Sequence, residues 1–260
     1  MFIDSHCHLD RLKLEKYENG LDGAIAAATD QQVSEMLCVA IDLEHVDQVL
    51  NIAAKYPNIY ASVGVHPTSY EGEEPTVERL VGLADAQKVI AIGETGLDYY
   101  YSAEMKELQQ QRFKVHLEAS KQTRKPVIVH TRDAKEDTLS IIADHGDERI
   151  AGVLHCFTED LDMALRAIDL GYFISFSGIV TFKNAAELQE VARSIPLERM
   201  LIETDSPYLA PVPYRGKPNE PKYVPKVAEF IAELRGLSVE QIAEQTAANF
   251  HSLFRDARGV

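Results

Sequence analysis

The sequence predicts an α/β fold, a (β/α)8 TIM barrel with additional C-terminal helices, on three observations. Short apolar, β-branched runs recur eight times along the 260 residues. Most are continuous rather than alternating, the pattern of strands covered on both faces in a parallel sheet. Their ends are spaced by about 22 to 36 residues, close to the roughly 30 of one βαβ unit. A barrel of this kind usually occupies about 250 residues, so residues 1–260 are expected to form a single domain.

In order, the predicted strands are "MFIDSH" ending near His6, "MLCVAID" near Asp42, "IYASVGVH" near His66 and "KVIAIGE" near Glu94. "PVIVH" at His130, "AGVLH" at His155, "GYFISFSG" near Ser177 and "MLIETD" at Asp205 complete the eight. Longer segments with helical spacing lie between them, from "GLDGAIAAATDQQ" to "NAAELQEVARS". The tail, "PKYVPKVAEFIAELRG" and "SVEQIAEQTAANFHSLF", supplies two further helices to close the ring. A doubly wound open sheet would also alternate in this way, but no glycine-rich dinucleotide fingerprint follows the first strand.

Bulk properties narrow the function. Hydrophobic residues make up 45% of the chain, enough for a large core. There is no cationic start followed by an apolar segment, and no apolar run near 18 residues. The three cysteines, Cys7, Cys38 and Cys156, have no paired spacing, as expected for free thiols in a reducing cytoplasm. With 26 basic and 41 acidic residues the net charge is −15. That balance argues against non-specific gripping of long duplex, which depends on basic residues neutralising phosphates. No coiled-coil heptads are present, and a monomer is the default expectation.

Ionisable residues fall where such a fold does its chemistry. His6, Glu94, His130, His155 and Asp205 sit at strand tips, and His8 lies two residues past His6. Strand tips of a barrel share one mouth. Residues spaced i, i+2 on extended chain point the same way, so His6 and His8 can bind one ion while Cys7 points into packing. Any one of these residues would be unremarkable as a hydrogen-bonded rim group. Together, four imidazoles and two acids without a counter-charge would be costly to bury, and divalent cations make the cluster favourable. Six ligand groups exceed what one four-coordinate ion uses, so two ions sharing a bridging carboxylate are expected. Imidazole with carboxylate suits zinc, manganese, nickel or iron, with magnesium also open. Two ions roughly 3.5–4 Å apart would activate a water and clamp both oxygens of a displacement. His45, His116, His145 and His251 fall in helical stretches and are given no role.

"DSHCHLD", "GVHP", "GETGLDYYY", "KPVIVHTRDA", "GVLHCFTE", "GYFISFSGIVTFKN" and "LIETDSPYLAP" resemble, in order and over nearly the whole chain, the TatD family of metal-dependent deoxyribonucleases, within the amidohydrolase-like barrels. The resemblance is strongest to the bacterial YcfH-like branch. It implies that His6 and His8 hold one ion with Asp205, that His130 and His155 hold the other, and that Glu94 bridges the two. It implies further that Asp205 accepts the proton of the attacking water. The activity implied is hydrolysis of phosphodiester bonds in DNA by 3′-5′ trimming, on single strands, 3′ ends or a small phosphoester.

Substrate contacts are expected from His66 in "GVHP", from Arg132, and from Arg215 and Asn219 in the loop "PVPYRGKPNEP". His66 is open to a phosphate contact or to a place behind the ligands. Arg132 is open to a phosphate or to an ion pair with Asp133 or Glu136. Tyr99, Tyr100 and Tyr101 offer either stacking faces for an unpaired base or loop packing. Two other classes stay open: a hydrolase of another ester or amide, such as an aminoacyl-tRNA ester or a dihydroorotase-like cyclic amide, and a non-enzymatic metal-binding protein.

Overall fold

The computed structural model describes residues 1–255. Eight strands alternate with helices in one parallel sheet whose order follows the sequence. They are β1 (Phe2–Cys7), β2 (Val33–Cys38), β3 (Ile59–Val63), β4 (Val89–Asp98), β5 (Val127–Arg132), β6 (Gly152–Leu154), β7 (Phe173–Phe176) and β8 (Met200–Ile202). The helices are α1 (Leu21–Asp30), α2 (Val46–Lys55), α3 (Val77–Ala84), α4 (Tyr99–Ser102), α5 (Lys106–Thr123), α6 (Lys135–His145), α7 (Leu161–Asp169), α8 (Ala186–Ser194), α9 (Val224–Arg235) and α10 (Val239–Leu253). No helix among the described residues is long and apolar enough to cross a membrane.

The ring closes between β1 and the chain just past β8. A parallel bridge joins Cys7 to Ser206, His8 N donates to Ser206 O at 2.8 Å, and Asp205 N donates to His6 O at 2.9 Å. Asp4 bolts the seam, accepting from Thr204 N at 2.8 Å and from Thr204 Oγ1 at 2.5 Å. Burial pushes the Asp4 carboxyl up to about 8 against the pull of those hydrogen bonds.

Two apolar layers follow from strand alternation. One lies between the strands and the surrounding helices. The other fills the barrel's lower interior with Ile3, Leu37, Tyr60, Ile90, Ile128, Val153, Phe173 and Leu201. The last helix was expected to complete the outer ring; instead α10 lies under the barrel and adds Phe250, Leu253 and Phe254 to the interior layer. The Phe250 ring meets Tyr60 at 6.1 Å and Phe254 at 4.8 Å. This plug turns the lower end into a packed floor. A cavity of about 590 Å³ lies at this end, lined in part by Ile90, Pro126, Ala151, Gly171 and Leu253, and holds none of the imidazoles discussed below.

Several strand ends differ from the sequence expectation. β6 stops at Leu154 and β8 at Ile202, so His155 and Asp205 stand on the segments just beyond. His155 N still donates to Val129 O at 3.0 Å, which keeps it in the ladder. β4 runs four residues past Glu94, to Asp98, and hands over directly to the short α4, which the sequence did not announce.

The floor supplies the first expected outcome. Phe250→Ala should destabilise the fold by about 3–5 kcal/mol, the usual cost of emptying a buried phenylalanine site, read as a lower urea midpoint with an unchanged slope. Divalent-metal binding by the folded fraction should persist, because the floor and the mouth are separate layers.

Candidate metal centre

Local backbone irregularity brings the ligating groups inward. Ile3 and Ser5 face the barrel interior, Ser5 Oγ lying 3.3 Å from Ser175 Oγ and 2.9 Å from Ile202 O. The β1–β2 register then slips between Asp4 and Cys7, which reverses the alternation. After the slip His6 and His8 face inward, and Cys7 joins the outer layer. Close backbone contacts set β4 likewise. A Cβ on Gly64 would lie 2.4 Å from the Gly93 carbonyl carbon, just before Glu94. At Gly96, where φ is +128°, a Cβ would lie 2.0 Å from His130 O. Only glycine lets these strands approach so closely beside two ligand positions.

The six expected residues converge. His6 Nε2 lies 3.3 Å from His8 Nε2, 3.3 Å from Glu94 Oε2 and 3.8 Å from Asp205 Oδ1. His8 Nε2 lies 3.3 Å from Asp205 Oδ1. On the other side of Glu94, Oε1 meets His155 Nε2 at 2.7 Å, His66 Nε2 at 3.2 Å and His130 Nδ1 at 3.5 Å. The His6 and His155 rings are stacked, 3.9 Å apart. Three sets of potential ligand atoms result: His6, His8 and Asp205; His66, Glu94 and His130; and His6, His155 and Glu203. The first matches the expected grouping. His66, expected at the substrate or behind the ligands, stands in the second set against Glu94.

These spacings fit a metal. Donor atoms about 2.1 Å from a common ion lie roughly 3.0–3.4 Å from one another in octahedral or tetrahedral geometry. The contacts between His6, His8, Glu94 and Asp205 fall largely in that band. His6 Nδ1 and Glu203 Oε2 are buried with no hydrogen-bond partner among the described residues.

The supporting groups fix how each imidazole presents itself. His8 Nδ1 donates to Val39 O at 2.9 Å, which leaves Nε2 with its lone pair toward the cluster. His155 Nδ1 meets Glu203 Oε1 at 3.2 Å, and Cys156 N donates to the same oxygen at 2.9 Å. His130 Nε2 meets Asp98 Oδ2 at 3.0 Å, turning Nδ1 toward Glu94. His66 Nδ1 meets Thr68 Oγ1 at 2.8 Å. Glu203 and Asp98 were not singled out from the sequence. Glu203 had a signal, since it stands two residues before Asp205, as His6 stands two before His8.

His116, given no role from the sequence, also supports the site. It is buried on α5, its Nδ1 donates to Arg112 O at 2.7 Å, and its Nε2 accepts from Val65 N at 3.0 Å, one residue before His66. Burial pushes it down to about 4.

Burial alone would raise Glu94, but His155, His66 and His130 around it hold its carboxyl well below the usual range. Burial would lower His155, yet the facing carboxylates of Glu94 and Glu203 raise it well above the ordinary imidazole value. Asp205, raised by burial, is brought below its usual value by His8 and His6. The open side can be read from exposure: His130, His66 and Asp205 side chains are 20%, 17% and 13% exposed, against 1% for His6 and 3% for His155.

The other expected substrate residues divide. Arg132 ion-pairs with neither Asp133 nor Glu136, whose carboxylate is taken by Arg166. Its guanidinium lies over the rings of Tyr100 at 3.9 Å and Tyr101 at 4.7 Å. Arg215 is exposed and lies over Phe182 at 4.0 Å. Asn219 is fully buried, donating from Nδ2 to Thr204 O at 2.8 Å and accepting at Oδ1 from Glu220 N at 2.9 Å. It holds the loop after β8 in place, and a substrate contact is not what its position provides. Of the tyrosines, Tyr99 is pinned by Asp137 and Gln110, each 2.8 Å from its hydroxyl, while Tyr100 and Tyr101 stand out exposed.

Two outcomes follow. Because the neutral His116 is the form held in the fold, its stabilisation is complete above its ordinary pKa near 6.5 and is lost as pH falls toward 4, about 3 kcal/mol in all. Urea unfolding of His116→Gln should therefore show a flatter decline between pH 7 and pH 4.5 than the unsubstituted protein. At the cluster, the facing carboxylates of Glu94 and Glu203 raise His155, which favours a proton there, and an incoming cation competes with that proton. Titration calorimetry with zinc at pH 7 in two buffers of different ionisation heat should show net proton release on binding. Apparent affinity should rise with pH, and heats independent of buffer would show that His155 carries no proton.

Comparison with known proteins agrees with this geometry. The family model described as TatD related DNase matches residues 3–255. An Escherichia coli K12 protein named as the uncharacterized metal-dependent hydrolase YcfH is 48% identical over 252 residues, covering 97% of this chain and 95% of its own. The 3′-5′ ssDNA/RNA exonuclease TatD of Salmonella typhimurium is 32% identical over 249 residues, covering 94% and 96%. Among solved structures, the TatD homologue YjjV from Escherichia coli K12 superposes with a TM-score of 0.89 at 29% identity, covering 98% of each chain. With its parallel barrel and a convergent set of imidazoles and carboxylates at the strand ends, this chain belongs to the TatD family of metal-dependent hydrolases.

Proposed function

We propose that this hydrolase is a nuclease of the deoxyribonuclease type, cleaving phosphodiester bonds from the 3′ end of single-stranded DNA with two divalent ions per chain. The observation that carries the reading is the division of labour on Glu94. Its Oε2 faces His6 on the side of His8 and Asp205, while its Oε1 faces His66, His130 and His155. A carboxylate placed in this way would join two ion sites. Zinc, manganese, nickel, iron or magnesium held there would supply Lewis-acid polarisation of the phosphodiester and activation of a water.

The chain's own groups do the rest. Asp205, ionised and open on one side, accepts the proton of the attacking water. Glu203 and Asp98 hold the His155 and His130 rings in the orientations that direct nitrogen toward Glu94. His66, with its Nε2 on Glu94 and its Nδ1 on Thr68, lines the open side of the cluster beside His130. The net charge of −15 favours a small footprint on the nucleic acid over a long duplex groove. The exonuclease name carried by the Salmonella relative supports the same choice.

The test pairs metal content with turnover. Loaded with each candidate metal, the protein should shorten 3′ single strands and leave aminoacyl esters and cyclic amides intact. Asp205→Asn should keep most of its bound metal by elemental analysis and lose about 10²–10⁴-fold in kcat. Unchanged turnover in that variant removes Asp205 as base, and preferential cleavage of an ester or amide removes the nuclease reading.

A further inference from the structure

Few large apolar side chains are exposed in this molecule, and three of those among the described residues are tyrosines: Tyr100 at 59%, Tyr101 at 66% and Tyr208 at 50%. All three lie at the mouth. Tyr100 and Tyr101 are on α4, directly after β4; Tyr208 follows Asp205, and its ring meets His8 edge-on at 6.0 Å. Tyr100 and Tyr101 form a built surface. Their rings are perpendicular, 4.9 Å apart, and the Arg132 guanidinium covers both.

Arg132 is held by ring faces alone. Among the described residues it has no carboxylate partner and no hydrogen-bond acceptor, so its in-plane N–H groups are available. It ends β5, two residues after His130, opposite Asp98 in the β4–β5 ladder. Asp98 ties this surface to the ligand set. One of its oxygens meets His130 Nε2 at 3.0 Å and the other accepts from Tyr101 N at 2.8 Å, capping α4. A bidentate guanidinium beside open aromatic faces suits a phosphate attached to a planar base.

We propose that Tyr100, Tyr101 and Arg132 form a subsite for one unpaired nucleotide adjoining the scissile phosphodiester. The tyrosines stack on the base and the edge of the guanidinium takes its phosphate. This assignment rests on the nuclease reading above and deepens it. A base inside a duplex has both faces covered by its neighbours, so the subsite selects frayed or single-stranded ends. These are positioning residues, and they act on substrate binding ahead of chemistry.

The test uses the metal-loaded full chain and two single strands, one ending in a normal 3′ nucleotide and one in an abasic residue. Replacing both tyrosines (Tyr100→Ala with Tyr101→Ala) should raise KM for the normal strand by about 5- to 150-fold, the range for losing one base stack. It should leave kcat within about threefold and raise KM for the abasic strand far less, through the lost hold of the rings on Arg132 alone. The phenylalanine pair should restore KM. Arg132→Gln should flatten the dependence of log KM on log salt by about 0.7, the loss of one single-strand phosphate contact. Equal KM changes on both strands, or none on the normal strand, overturn the subsite. Binding is read separately with a strand ending in 2-aminopurine and metal-loaded Asp205→Asn protein. Quenching that disappears when both tyrosines are alanine supports the subsite; no quenching overturns it. If the unsubstituted protein cleaves no strand with any candidate metal, the nuclease reading fails by itself, and the quenching result alone judges the subsite.

Discussion

The rest of the site depends on a carboxylate that no single neighbour satisfies. Glu94 is 2% exposed, and three imidazoles crowd one of its oxygens while a fourth faces the other. Removed from water, an ionised carboxylate needs full compensation. Neutral imidazoles give only part of it, and a proton at His155 serves one side alone. Cations on both sides would complete it. The surrounding structure can be understood as the means of keeping this group in that position: glycines where β3, β4 and β5 nearly touch, a register slip in β1, and carboxylates behind His130 and His155.

A second constraint follows from the first. Candidate ligand atoms from β1 and from the segment after β8 meet although they are about two hundred residues apart in the chain. The barrel must therefore close at that seam, within a fraction of an ångström. The strand ladder is short there, with β8 only three residues long. Asp4 and Thr204 replace the missing ladder bonds with a side-chain bolt, and Asn219 fastens the following loop to the Thr204 carbonyl. Below the seam, α10 keeps water out of the lower barrel. Closure, floor and ligand geometry are thus one mechanical problem.

The repeat of apolar runs made the barrel legible, because eight strands buried on both faces leave a pattern that does not depend on tertiary detail. The convergence of the imidazoles was legible for a related reason: His6, His130 and His155 come at the ends of those runs. What escaped depended on contacts between distant parts. Glu203 had its spacing from Asp205 as a local signal, but its role behind His155 depends on a contact 48 residues away in the chain. Asn219 sits in a proline-rich stretch that reads as an exposed loop, yet the chain folds back onto the segment after β8 and buries it. His116 falls in a helix among Phe113, Leu117 and Ser120, all buried, and nothing local says that its ring reaches the loop of His66. Arg132 had acids nearby in sequence, but Arg166 claims Glu136 and the tyrosine rings claim Arg132.

Charge sets the last condition on what such a site can hold. At physiological ionic strength surface charges act over about 8 Å, so an acidic exterior repels a polyanion close to the protein and scarcely farther away. A long duplex would lie within that repulsion along its whole length. A strand end would cross it once, with its remaining phosphates outside. On the nuclease reading, a strand end would meet the open side of the cluster formed by His66, His130 and Asp205, where the Arg132 guanidinium, two residues past His130, would offset part of the repulsion. Asp98 makes the two regions inseparable, since one carboxylate both aims a ligand imidazole and caps the helix that carries the exposed rings. Shifting α4 to admit a wider substrate would pull on His130 through that carboxylate. The width of the entrance and the geometry of the candidate metal site are therefore tied to the same side chain.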